Sequence, residues 1–82
     1  MYTEYSEICN SYVICNDNHG FSLRKWDFEY LTNKNWNELS NYLIDNFYAQ
    51  HLHSTVIFKT EEDAQKAIEW IEEIMMEKIA NG

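Results

Sequence analysis

Ser11 to Cys15 reads Ser-Tyr-Val-Ile-Cys, a run of β-branched and aromatic residues that ends in Asn16-Asp17-Asn18-His19-Gly20. That ending is rich in turn formers and contains a glycine for a positive φ, so the pattern predicts a hairpin. The return strand begins at Phe21, with Phe21, Leu23 and Lys25 on one face and Ser22, Arg24, Trp26 and Phe28 on the other. Neither face is purely polar, so the strand is expected to bend at its end.

Asn33-Lys34-Asn35 breaks this alternation. Asn35 is a good N-cap, and Trp36, Leu39, Leu43 and Phe47 follow on one helical stripe, which predicts a helix from Trp36 to about Tyr48. Leu52 to Lys59 reads as another strand, with Leu52, Ser54, Val56 and Phe58 sharing a face. Thr60 stops it and offers a hydroxyl cap, and Glu61, Glu62 and Asp63 place three carboxylates where the helix dipole favours them. The last helix carries an apolar stripe of Ala64, Ala67, Ile68, Ile71, Ile74, Met75 and Ile79. Lys78 lies in its last turn and Asn81-Gly82 serves as a C-cap.

These elements give an α+β chain of β-β-α-β-α order, expected to be one domain over residues 1–82. A right-handed crossover then predicts a three-stranded antiparallel sheet, order 2-1-3, with Ser11–Cys15 central and two helices packed on one face. Residues 1–10 show no clean period and are expected to be loosely held. The stretch VIFKTEEDAQKAIEW, Val56 to Trp70, resembles the closing strand-to-helix step of ferredoxin-like modules. It lacks the basic, aromatic sheet motif of RNA-recognition modules, so the resemblance implies a fold class and no activity.

Charge narrows the function. Fourteen acidic residues against six basic ones give −8 over 82 residues, a field that repels phosphate and attracts basic surfaces. Reading nucleic acid directly requires clustered Lys and Arg to displace counterions, and here they are scattered through the sequence. Apolar runs are only a few residues long, so no membrane span is expected. Two cysteines with five residues between them make no disulfide framework, and the protein is expected to be cytoplasmic with reduced thiols. Nine Asn, six Tyr and no Pro resemble in composition the small accessory proteins of bacteriophages and AT-rich bacteria.

Seven of the fourteen acids fall between Lys59 and Gly82. Glu62, Glu69, Glu73 and Glu77 share the face of the last helix opposite its apolar stripe, with Asp63 and Glu72 at the margins and Trp70 beside the row as an anchor. A row of this kind can imitate the charge of DNA toward a basic groove, or can serve solubility alone. No catalytic signature is present: two glycines make no phosphate loop, and nothing in the local sequence lowers the pKa of Cys15. His51 and His53 alternate with Leu52 and supply at most two metal ligands, with Cys9, Cys15 and His19 distant in sequence. No cofactor or metal is expected.

The expectation is a small acidic, non-catalytic protein-binding module, of the kind a phage or mobile element uses as an inhibitor. It would dock its carboxylate helix on the basic, nucleic-acid-binding surface of a partner protein. The alternative is a structural or regulatory protein that forms a homodimer or larger homo-oligomer through an aromatic sheet face containing Trp26, Phe28 and Tyr30.

Overall fold

Asp27 follows Arg24 by three residues, the spacing at which a carboxylate reaches back to cap a helix start. The computed structural model, which describes residues 1–81 apart from the side chains of Ile79 and Asn81, places helix α1 at Lys25–Thr32. The Arg24 N–H donates to Asp27 Oδ2 at 2.9 Å, and Phe28 and Thr32, one turn apart, are buried on the inner face. This helix replaces most of the return strand expected from Phe21, of which Ser22 alone remains as a β partner, bridged to Cys15. The physical reason is the spacing of apolar positions: alternation mixes Trp26 with Phe28, whereas a 3.6-residue period separates buried Phe28 and Thr32 from exposed Trp26 and Tyr30.

Residues 1–10, which carry no periodic signal, contribute strand β1, Tyr2–Ser6. It pairs antiparallel with β2, Ser11–Cys15, in a register running from Tyr2 opposite Cys15 to Ser6 opposite Ser11. The strand expected from Leu52 to Lys59 is instead broken into β3, Gln50–Leu52, and β4, Thr55–Ile57, paired antiparallel around His53-Ser54. His53 turns the chain with φ 53°. The burial of Thr55, Val56, Ile57 and Phe58 in succession shows a segment covered on both faces.

The three-stranded sheet of order 2-1-3 with two helices on one face is therefore not what forms. The described residues contain two two-stranded ladders and three helices. The ladders meet at one point, where Tyr12 N donates to Phe58 O at 2.7 Å and Phe58 N to Tyr12 O at 2.9 Å. Toward its other end the same edge of β2 is taken by the segment after the turn, with Leu23 N donating to Ile14 O at 2.8 Å. Because two segments share the second edge of β2, neither runs along it far enough to become a third strand.

Helix α2, Trp36–Phe47, starts where its cap predicts: Asn35 Oδ1 accepts from the N–H groups of Asn37 and Glu38 at 2.9 and 3.4 Å. Helix α3, Glu61–Asn81, starts with Asp63 N donating to Thr60 Oγ1 at 3.1 Å. The expected cap at Asn81-Gly82 and the side chain of Ile79 lie outside the described residues. The inner face of α3 buries Ala64, Ala67, Ile68, Ile71 and Ile74 against a core that includes Ile14, Leu23, Phe28, Leu39, Leu43 and Phe58. The α+β class holds, with α3 packed on β1, β2 and both other helices.

Among the described residues Asn10, Asn33, Tyr48 and His53 take positive φ, and of these Tyr48 tolerates it least, since Asn and His are enriched there. Tyr48 closes α2 in the left-handed region, at φ 58° and ψ 29°, with its ring 71% exposed. A left-handed conformation costs an L-residue about 1–2 kcal/mol, which glycine avoids at the expense of a more flexible unfolded chain. Tyr48→Gly is expected to stabilise the fold by about 0.5–1 kcal/mol, seen as a higher urea midpoint at unchanged slope. A lower midpoint would show that the exposed ring holds something in place.

Candidate functional site

The outer face of α3 follows from its sequence: the apolar stripe fixes which side is buried, and the residues half a turn away must face solvent. Glu62, Glu69, Glu73 and Glu77 are all exposed there. With a rise of 1.5 Å per residue the row extends roughly 22 Å. The first of the four is not free, because Lys66 Nζ lies 3.2 Å from Glu62 Oε1 one turn along. The stretch of net negative charge is thus Glu69, Glu73 and Glu77, with the exposed Met76 among them.

The other residues assigned to this surface divide. Asp63 is half-buried at the helix start, where its N–H meets the Thr60 hydroxyl. Glu72 is exposed at the opposite margin and lines a cleft of about 170 Å³ with Asp17, Asn18, Leu31 and Met75. Trp70 is half-buried, and a face of its indole is covered by Tyr42 of α2, stacked at 4.2 Å and 9° between planes; Phe47 lies 6.0 Å away. Trp70 therefore joins α2 to α3, and the Tyr42 ring, 41% exposed, is the more accessible partner of the stack.

The remaining chemistry is muted. Cys15 is 2% exposed, and its Sγ donates to Glu4 Oε2 at 3.4 Å. Burial, reinforced by Glu4, pushes its thiol up to about 11. The folded state thus favours the protonated thiol, so stability from this group is complete below the unfolded thiol pKa near 9 and is lost as pH rises through about 11. At about pH 8 the half-buried Cys9 is expected to be alkylated by iodoacetamide while Cys15 stays unmodified until denaturant is added. Mass spectrometry of the intact protein checks this, and rapid native labelling of both thiols would contradict it.

His51 and His53 do not share a strand face, since His53 occupies the turn and His51 lies edge-on to Trp36 at 6.2 Å. Among the described residues no three His, Cys, Asp or Glu side chains lie close enough to hold a metal ion.

The aromatic sheet face is corrected as well. Trp26, Phe28 and Tyr30 lie on α1, where Phe28 is fully buried and stacks on Trp36 at 5.2 Å. Trp26 and Tyr30, one turn apart, are 58% and 78% exposed. The acids of this helix are engaged by backbone: Asp27 accepts from Arg24 N, and Glu29 Oε2 accepts from Trp36 N at 3.0 Å. Lys78 Nζ, reaching from α3, donates to Tyr30 O at 2.9 Å and sits 5.4 Å from the centre of the Tyr30 ring. Arg24 and Lys25 lie at the start of α1, and Lys34 follows its end in sequence. Sequence reasoning missed this face because it assigned the segment to a strand; the four-residue spacing of Trp26 and Tyr30 was the available signal.

No family model, curated protein or solved structure matches this chain.

Proposed function

We propose that this protein is a small acidic binding module that presents the outer face of α3 to a basic surface of a partner protein. The observation that carries this reading is the placement of Glu69, Glu73 and Glu77 in solvent at successive turns, on a chain of net charge −8. Each step of four residues advances roughly 6 Å, so the carboxylates form a regular line that can meet Lys and Arg spaced to hold a phosphate backbone. Such a module acts as an inhibitor, in a phage or mobile element for instance, by occupying a nucleic-acid-binding surface in place of the polyanion. Its role is non-catalytic, consistent with the protonated, buried Cys15 thiol.

The test compares two variants with the same change in net charge. Glu69→Lys with Glu73→Lys reverses the face, while Glu7→Lys with Asp45→Lys reverses two other exposed acids. Proteins captured from lysate by the wild-type chain at low salt are expected to bind the α3 variant at least ~10-fold more weakly and the control almost normally. Capture should fall steeply with added salt. Equal losses in both variants would show that only total charge matters, and salt-insensitive capture would remove the electrostatic reading.

A further inference from the structure

We infer that the outer edge of β1 is a docking site for an extended, basic segment of a partner protein, which adds to the β1–β2 ladder as a further strand. Backbone geometry identifies the groups that receive it. Along a strand the N–H and C=O of successive residues point to alternate edges. Tyr12 exchanges both of its backbone bonds with Phe58, at 2.7 and 2.9 Å, and Ile14 O accepts from Leu23 N at 2.8 Å, so these two residues face away from β1. Ser11, Val13 and Cys15 therefore face β1, and their partners in the register are Ser6, Glu4 and Tyr2. The N–H and C=O groups of Thr3 and Tyr5 consequently point outward, along an edge that no described strand pairs. Among the described residues no hydrogen bond reaches these groups. The strand is exposed at Tyr2, Glu4 and Tyr5, and it has no proline, lysine or bulge of the kind that blunts an edge. The site uses none of the carboxylates of α3, so it stands or falls apart from the role proposed for that helix.

Side chains decide what the added strand is. Thr3 and Tyr5 each exchange hydrogen bonds with the residue opposite, and Glu4 between them takes the closely spaced position, where opposed Cα atoms are about 4.5 Å apart. Glu4 is exposed, and its carboxylate accepts from the protonated Cys15 thiol at 3.4 Å. No ion pair among the described residues includes it. A Lys or Arg directly opposite is favoured there, and an acid is opposed. On the other face Tyr5 lies 5.3 Å from Tyr12 and is 46% exposed, so an apolar residue opposite it covers the ring. The pattern selected is apolar, basic, apolar in an extended segment. A second copy of this chain does not fit. The antiparallel register that pairs Thr3 with Tyr5 in both directions sets Glu4 against Glu4, on chains that each carry −8.

NMR titration of the isotope-labelled intact chain with two end-blocked peptides, Thr-Val-Lys-Val-Thr and Thr-Val-Glu-Val-Thr, up to about 5 mM tests the proposal. The lysine peptide is expected to shift the Thr3 and Tyr5 amide resonances, to slow their exchange with solvent, and to bind at least ~5-fold more tightly than the glutamate peptide. Glu4→Lys should reverse that preference. Thr3→Pro removes an outward N–H that the β1–β2 ladder does not use, so it should keep the fold by far-UV circular dichroism and weaken the lysine peptide at least ~10-fold. Glu69→Lys with Glu73→Lys should leave its affinity within about twofold at physiological salt. No saturable shift, shifts that avoid β1, or equal affinity for the two peptides overturns the inference. Thr3 and Tyr5 amides that shift with protein concentration alone overturn it too, since the edge then pairs with a second copy. Should Thr3→Pro unfold the chain, Glu4→Lys decides in its place, and a preference left unreversed overturns the inference. If the edge fails while the α3 reversal still releases basic partners, the docking role of α3 stands. If the lysine peptide binds as expected while the α3 reversal releases nothing, the edge is the docking site and the α3 reading fails.

Discussion

Phe28→Ala is expected to destabilise the protein by about 3–5 kcal/mol, the usual cost of emptying a buried aromatic site. Phe28 is fully buried, sits on the inner face of α1 and stacks on Trp36 at 5.2 Å, so its ring holds α1 against α2. A domain of this size has a total stability of about 4–12 kcal/mol, so the loss removes a large part of it and leaves a visible unfolded population at room temperature. Trp26→Ala supplies the contrast. It deletes a larger ring two residues earlier, yet that ring is mostly solvent-exposed, and the expected change is within about 0.5 kcal/mol. Urea unfolding measures both. Comparable losses for the two would mean that this segment does not bury one helical face.

Thr55→Val should cost about 1–3 kcal/mol although it preserves size and β-branching. The Thr55 hydroxyl, in a residue 4% exposed, donates to Leu23 O at 2.6 Å across 32 positions of sequence. With Lys25 N donating to Ser54 O at 2.7 Å, it ties the start of α1 to the β3–β4 turn. Valine leaves the Leu23 carbonyl buried without that donor, and an orphaned acceptor costs more than the bond contributed. Thr55→Ser, which keeps the hydroxyl and loses a methyl, should be the milder change of the two. For a domain this small the valine variant should melt several degrees lower, at roughly 4–8 °C per kcal/mol. A valine variant as stable as wild type would show that the hydroxyl contributes nothing there.

The exposure of the acidic residues followed from sequence where one long helix decided it. The carboxylate row needed only the period of α3 and the identity of its buried side. Lys66 also lay in plain view, one turn from Glu62, and its pairing is a property of adjacent turns. The stacking of Trp70 on Tyr42 required knowing that α2 lies beside α3, which no spacing within either helix reveals. The exposed aromatic pair of α1 was hidden for a different reason: over eight residues, with aromatics on every side, a period of 2 and a period of 3.6 fit almost equally well.

The sequence by itself determined α2 and α3, because caps at Asn35 and Thr60 and apolar stripes several turns long act through contacts no more than a few residues apart. It also determined the α+β class and the acidic outer face of the last helix. Tertiary structure alone decided that Tyr2–Ser6 pairs with β2, that Leu23 and Phe58 divide the other edge of that strand, and that Lys25–Thr32 coils. Backbone donors and acceptors in a strand are alike at every position, so pairing is chosen by which segments the packed helices bring alongside. For a short ambiguous segment, the side that must be buried is set by the rest of the molecule.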